Sequence, residues 1–142
     1  MYRKLVDCVR FLLGAQLLIN GLNWWVKLID PYPSIADFSE KPPDPHMLGF
    51  MREMIETHLI FHLVKAVEVL GGILLLTNNF VPFALVFGYS VAVVAFVVDV
   101  CLQNHLRARV MGSGILFNTT FLMVAYFGHY RSMLAAKAQA HP

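Results

Sequence analysis

The sequence predicts an all-α integral membrane protein: a four-helix bundle with a proline-rich loop between helices 1 and 2. Three observations carry that expectation. Apolar residues make up 58% of the chain and charged residues 14%, with a mean hydropathy of +0.61; a soluble domain carries about 25% charged residues. The apolar residues fall in blocks at 5–25, 54–76, 80–102 and 112–128, each near the roughly 20 residues that cross about 30 Å of hydrocarbon. Five of the seven prolines, Pro31, Pro33, Pro42, Pro43 and Pro45, lie between the first two blocks. The 142 residues read as one transmembrane domain whose first partner is the lipid bilayer. A net charge of +2, with basic residues scattered along the chain, leaves no basic stripe for nucleic acid.

The first block opens with Met1-Tyr2-Arg3-Lys4, as a signal peptide does, but Asp7, Arg10, Gln16, Asn20 and Asn23 interrupt it. No small-residue cleavage site follows, so it reads as a retained helix. Trp24 and Trp25 stand at its far end, where interfacial aromatics belong. Residues 30–49 form a stiff loop, because proline fixes φ and lacks the backbone donor a helix needs. Residues 46–57 are an amphipathic lead-in to the second block, with Arg52, Glu53 and Glu56 at the water boundary.

Thr77-Asn78-Asn79 turns the second block into the third, and Pro82 suits the first turn of the new helix. Ala84, Gly88, Ala92 and Ala95 recur at steps of three or four, a strip on which a neighbouring backbone can approach closely. Gly71 and Gly72 serve the second block in the same way. Residues 103–111 connect to the fourth block, where Gly112-Ser113-Gly114 adjusts the entry angle. Tyr126 and Tyr130 mark its interfacial end.

With an even number of spans both termini share one side, and the opposite side is called outer here. At about 1.5 Å of rise per residue, Asn20, Asn23, His58, His62, Asp99, Gln103 and His105 fall in the outer half, while Lys65 and Asn118 come near the middle. On the second helix, at about 100° per residue, His58, His62 and Lys65 share a sector of roughly 60°, with Glu68 about 60° further round. Charges inside a bilayer cost several kcal/mol unless paired or turned to a polar interior, which marks them as functional-site candidates. The stripe is therefore expected to face the bundle interior, towards Asn20, Asp99 and Asn118, in a polar pocket under the proline-rich loop. The candidate ligand-binding set is His58, His62, Lys65, Glu68, Asp99, Asn20 and Asn118.

Each group also has a structural reading. Lys65 and Glu68, at i and i+3, can neutralise each other, or pair with Asp99 and Arg10 across the bundle. Asn20, Asn23, Asn118, Thr119 and Thr120 can serve as interhelical hydrogen-bonding residues. His58 and His62 at i and i+4 can share one metal ion, but two ligands do not define a site and no metal is assigned. A di-iron centre is disfavoured, since His46, His105, His129 and His141 lie in loops or at span ends. A b-type haem would take His62 as axial ligand, with His58 or His105 opposite. Cys8 and Cys101 stand near opposite ends of their helices, about 25 Å apart by helical rise, far beyond the roughly 7 Å a disulfide allows.

The segment Arg10-Phe11-Leu12-Leu13-Gly14, leading to Asn20-Gly21-Leu22-Asn23-Trp24-Trp25, resembles the R-x-x-L-G…G-L opening of the DoxX-like four-helix membrane proteins. From Lys65 and Glu68 through Gly71 and Leu74-Leu75 to Pro82, Ala84 and Leu85, the chain is similar to that family's K-x-x-E-x-x-G-x-x-L-L…P-x-A-L core. The resemblance covers the first three spans. Asp99 stands where many relatives carry a histidine, and Val94 where they carry an asparagine. The resemblance implies a four-helix bundle in a bacterial inner membrane with both termini cytoplasmic. It also implies a redox or respiratory setting, the family including a small subunit of a thiosulfate:quinone oxidoreductase.

Three functions fit these residues. In the first, histidine or lysine donors hold the carbonyls of a quinone or similar small amphiphile, Glu68 or Asp99 exchanges protons, and Trp24 and Phe61 wall the ring. The haem reading ranks below it. In the second, the protein is a non-catalytic anchor, accessory or assembly subunit of a larger membrane complex, or a homo-oligomer. In the third, Lys65 and Glu68 form a proton-linked pair for solute transport. Whether the protein is an enzyme stays open at this level.

Overall fold

A computed structural model describes residues 2–29, 59–102 and 106–130. The proline-rich loop, the lead-in to the second span, His58, Gln103 and His105 lie outside these residues. Helix α1 runs Tyr2–Trp25 and α2 Leu59–Leu76. Helix α3, Val81–Phe96, continues as a π-helical stretch, Val97–Leu102. Helix α4, Leu106–Ala125, is followed by the short α5, Phe127–Tyr130. Four of these helical segments are long and apolar enough to cross a membrane: Tyr2–Trp25, Leu59–Leu76, Val81–Val100 and Ala108–Ala125.

The four long helices close into a ring: α1 packs on α2, α2 on α3, α3 on α4, and α4 returns to α1. The core is aliphatic, built from Leu13, Leu17, Leu75, Leu85, Ala92, Ile115 and Leu122. Large apolar side chains also cover the outside, among them Phe11, Leu12, Leu63, Leu70, Phe83, Phe87 and Phe117. Water would reject such a surface, whereas acyl chains solvate it. The polar residues Asn23, Lys65, Glu68 and Thr119 are buried instead. Apolar outside and partly polar inside, the bundle is that of an integral membrane protein.

The tightest seam joins α1 to α2. A methyl group at Gly72 would stand 2.7 Å from the Leu18 amide nitrogen and 2.8 Å from the Gly14 carbonyl oxygen. At Gly21 it would stand 2.7 Å from Val69 Cγ2 and 3.0 Å from the Lys65 carbonyl oxygen. Helix–helix association in lipid relies on such close van der Waals packing, because no hydrophobic drive operates there. The strip expected on the third helix behaves differently. Ala84, Gly88 and Ala92 are buried, yet a methyl at Gly88 would meet nothing within 4 Å.

The α2–α3 turn is a Schellman cap. Asn78 adopts φ 58, and the amides of Asn79 and Asn78 donate to the carbonyls of Leu74 (3.1 Å) and Leu75 (3.3 Å). That pairing satisfies carbonyls orphaned at the helix end. The Thr77 hydroxyl donates to the Ile73 carbonyl at 2.8 Å. Phe80, at φ 49, precedes α3, and Pro82 falls in its first turn as the sequence predicts.

One expectation needs correction. The fourth helix does not begin at residue 112: it is already helical from Leu106, since Leu106, Arg107, Ala108, Arg109 and Met111 are good helix formers, and Gly112 and Gly114 lie inside it. Tyr130 stands just past the end of this helix, as expected, and is buried there, its hydroxyl donating to the Pro82 carbonyl of α3 at 2.9 Å.

Candidate functional site

Lys65 and Glu68 lie one turn apart near the middle of α2, and the Gly21 contact brings α1 against that same turn. Lys65 is 7% exposed and Glu68 3%. The Lys65 ammonium Nζ stands 2.9 Å from Glu68 Oε2. From α1 the Asn20 amide Nδ2 donates to the same oxygen at 3.0 Å. Both charges thus face the interior, and the expected mutual neutralisation is realised. Removing one member of such a pair would strand the other charge in a medium that cannot solvate it.

A third charge comes from α3. Asp99 sits in the first turn of the π-helical stretch and interacts electrostatically with Lys65, attractively, and with Glu68, repulsively. Side chains lean towards the N-terminus of their own helix. On antiparallel α2 and α3 this carries Lys65 outward and Asp99 inward, towards a common level. On its far side Asp99 rests on α4, where a methyl at Gly112 would lie 2.7 Å from Asp99 Cβ and 3.2 Å from Oδ2. An insertion of π geometry redirects the side chains of a helix and recurs at functional sites.

Outward of the pair the wall is aromatic. Trp24 of α1, 1% exposed, stacks on Phe61 of α2 with ring centroids 5.0 Å apart and planes 10° from parallel. His62 meets Trp24 edge-on at 6.4 Å and tilts against Trp25 at 6.2 Å. It is half-buried, one turn before Lys65.

Not every candidate joins this cluster. Asn118 is half-buried on α4, and among the described residues no hydrogen bond ties it to Lys65, Glu68 or Asn20. Arg10 pairs with Asp7 on its own helix at 3.3 Å, ten residues before Asn20 and so about 15 Å away along the axis. Interhelical bonding fails for two other residues. Thr119 and Thr120 donate to the Ile115 and Leu116 carbonyls of their own helix, both at 2.7 Å. Asn23 Oδ1 accepts from the amides of Leu28 (2.7 Å) and Ile29 (2.8 Å), tying down the chain that leaves α1. His58 lies outside the described residues, as does His105, the second axial candidate for a haem. Among the described residues no three His, Cys, Asp or Glu side chains gather as a metal would require.

Sequence reasoning missed Gly21 and Gly112, the contacts that seat Lys65 and Asp99. The signal available was a glycine beside a polar residue in an apolar block, which says nothing of what lies opposite. Fold and site together define a class: a small four-helix integral membrane protein with a buried, cross-braced ion pair. Compared with protein-family models, curated proteins and solved structures, the chain matches none.

Proposed function

We propose that the protein binds a quinone or a similar small amphiphile at the Lys65–Glu68 site, in the redox or respiratory setting that the resemblance to DoxX-like proteins implies. One observation carries the reading: an ion pair 2.9 Å long, buried near the middle of α2 and flanked by the Trp24–Phe61 stack. An ammonium has three donors, and Glu68 takes one of them. The remaining donors suit a ring oxygen, and flat aromatic side chains suit a planar ring. An amphiphile would reach this depth from the bilayer with its tail among the lipid-facing side chains. His62, one turn outward, is placed for a second polar contact, and Asp99 is the further group able to exchange a proton.

The test is quinone content per protein in full-length material purified in mild detergent. His62→Ala leaves the ion pair intact, and the double variant Lys65→Met with Glu68→Gln removes both charges without stranding either. Loss of quinone from both variants, with helical content unchanged, is the expected result. Stoichiometric quinone in both would overturn the proposal.

A further inference from the structure

Both hydrogen bonds that reach the Glu68 carboxylate fall on one oxygen. Lys65 Nζ and Asn20 Nδ2 donate to Oε2, at 2.9 Å and 3.0 Å, and among the described residues Oε1 accepts none. The side chain that carries this oxygen is only 2% exposed. Opposite an ammonium, a carboxylate is an acceptor at both oxygens. The little exposure that remains leaves Oε1 reachable, and in so apolar a setting such an acceptor asks for a donor from a ligand, since the spare donors of Lys65 are already turned to Oε2.

We propose that the site recognises the hydroxyl form of its ligand, an aromatic alcohol such as a phenol or quinol, in preference to the acceptor-only quinone. The inference rests on the amphiphile reading above and names which oxidation state that site holds. A hydroxyl is donor and acceptor at once. Its proton goes to Glu68 Oε1 while its oxygen lone pair takes a spare donor of Lys65, so one ligand atom satisfies both members of the pair. A quinone carbonyl can meet Lys65 but not Glu68. It leaves Oε1 unpaired and sets its own lone pairs against a carboxylate, a mismatch that discriminates by roughly tenfold or more. The Trp24–Phe61 stack and His62, one turn outward, favour an aromatic carrier for that hydroxyl.

The full-length protein in phosphatidylcholine nanodiscs is titrated anaerobically with a short-tailed ubiquinol and, separately, with the matching ubiquinone. Quenching of Trp24 and Trp25, the only tryptophans in the chain, reports binding. The expected result is a Kd for the quinol at least tenfold below that for the quinone, with the ratio collapsing towards unity in the double variant Lys65→Met with Glu68→Gln. Equal affinities in the wild-type protein, or tighter quinone binding, would overturn this inference while leaving the amphiphile site standing. Binding of neither form would overturn both. The wild-type ratio decides even if the variants fold poorly.

Discussion

Asp99 leans on Gly112 so closely that a methyl group at position 112 would stand 2.7 Å from the Asp99 β-carbon. The third charge of the buried cluster is thus seated by the absence of a side chain on the next helix. Ala95 hems in the same spot, its carbonyl oxygen 3.3 Å from that methyl.

Gly112→Ala should therefore displace Asp99 and lower stability by about 1–3 kcal/mol, the usual range for overpacking. Gly114→Ala is the control, since a methyl there meets nothing within 4 Å, and replacing a mid-helix glycine should stabilise by roughly 0.5–1 kcal/mol. Melting temperatures of the two variants in one detergent check this. Equal shifts would mean that the Asp99–Gly112 contact does not constrain the bundle.

The ion pair gives an asymmetric expectation. Lys65→Met strands a buried carboxylate and should destabilise by about 3–5 kcal/mol, whereas the double variant with Glu68→Gln should recover most of that loss. A double-mutant cycle from chemical unfolding in micelles measures the coupling. Additive effects would show that the two side chains do not depend on each other.

Glycines with similar sequence surroundings should differ sharply. At Gly72 an added methyl meets backbone on α1, Leu18 N at 2.7 Å and Gly14 O at 2.8 Å, which cannot rotate away. Gly72→Ala should push α1 from α2 and lower the melting temperature by several degrees in this chain, as a loss of about 1–3 kcal/mol implies. Gly88→Ala, with open space at its position, should be neutral or mildly stabilising. Comparable losses at both positions would contradict the seam described for α1 and α2.

Tyr130 closes the end of the bundle on which α3 begins. Tyr130→Phe removes the bond to the Pro82 carbonyl and should cost about 0.5–1.5 kcal/mol. Burial raises the Tyr130 phenol above its ordinary range, and Tyr126 adds to the rise. The folded state thus holds this proton to higher pH than the unfolded chain does. Stability from Tyr130 is complete below the unfolded pKa of about 10 and declines as pH rises from there through the folded value. A pH series of melting temperatures should show an alkaline decline that is smaller in the Tyr130→Phe variant. Parallel curves would remove Tyr130 as its source.

Much of the architecture is legible along the chain. Hydropathy sums over a whole span, so the four blocks stand out whatever their neighbours are. Pro82 and the Asn78-Asn79 pair mark the α2–α3 turn because their preferences are local. The inward facing of Lys65 and Glu68 is also legible, since lipid offers a charge no alternative.

What the tertiary structure alone decides is whom each polar or small residue meets. Thr119 and Thr120 satisfy themselves on their own helix although they looked equipped to bridge helices, because a carbonyl one turn away is always within reach. Asn20 alone of the expected amides reaches across to the pair, since Gly21 lets α1 settle against Lys65. Gly72 and Gly112 touch neighbouring helices while Gly88 does not. Composition and helical period specify that a residue lies on a stripe. Which stripe abuts which, and at what depth, depends on how four cylinders rotate and cross, a property of the pairwise packing that no single segment contains.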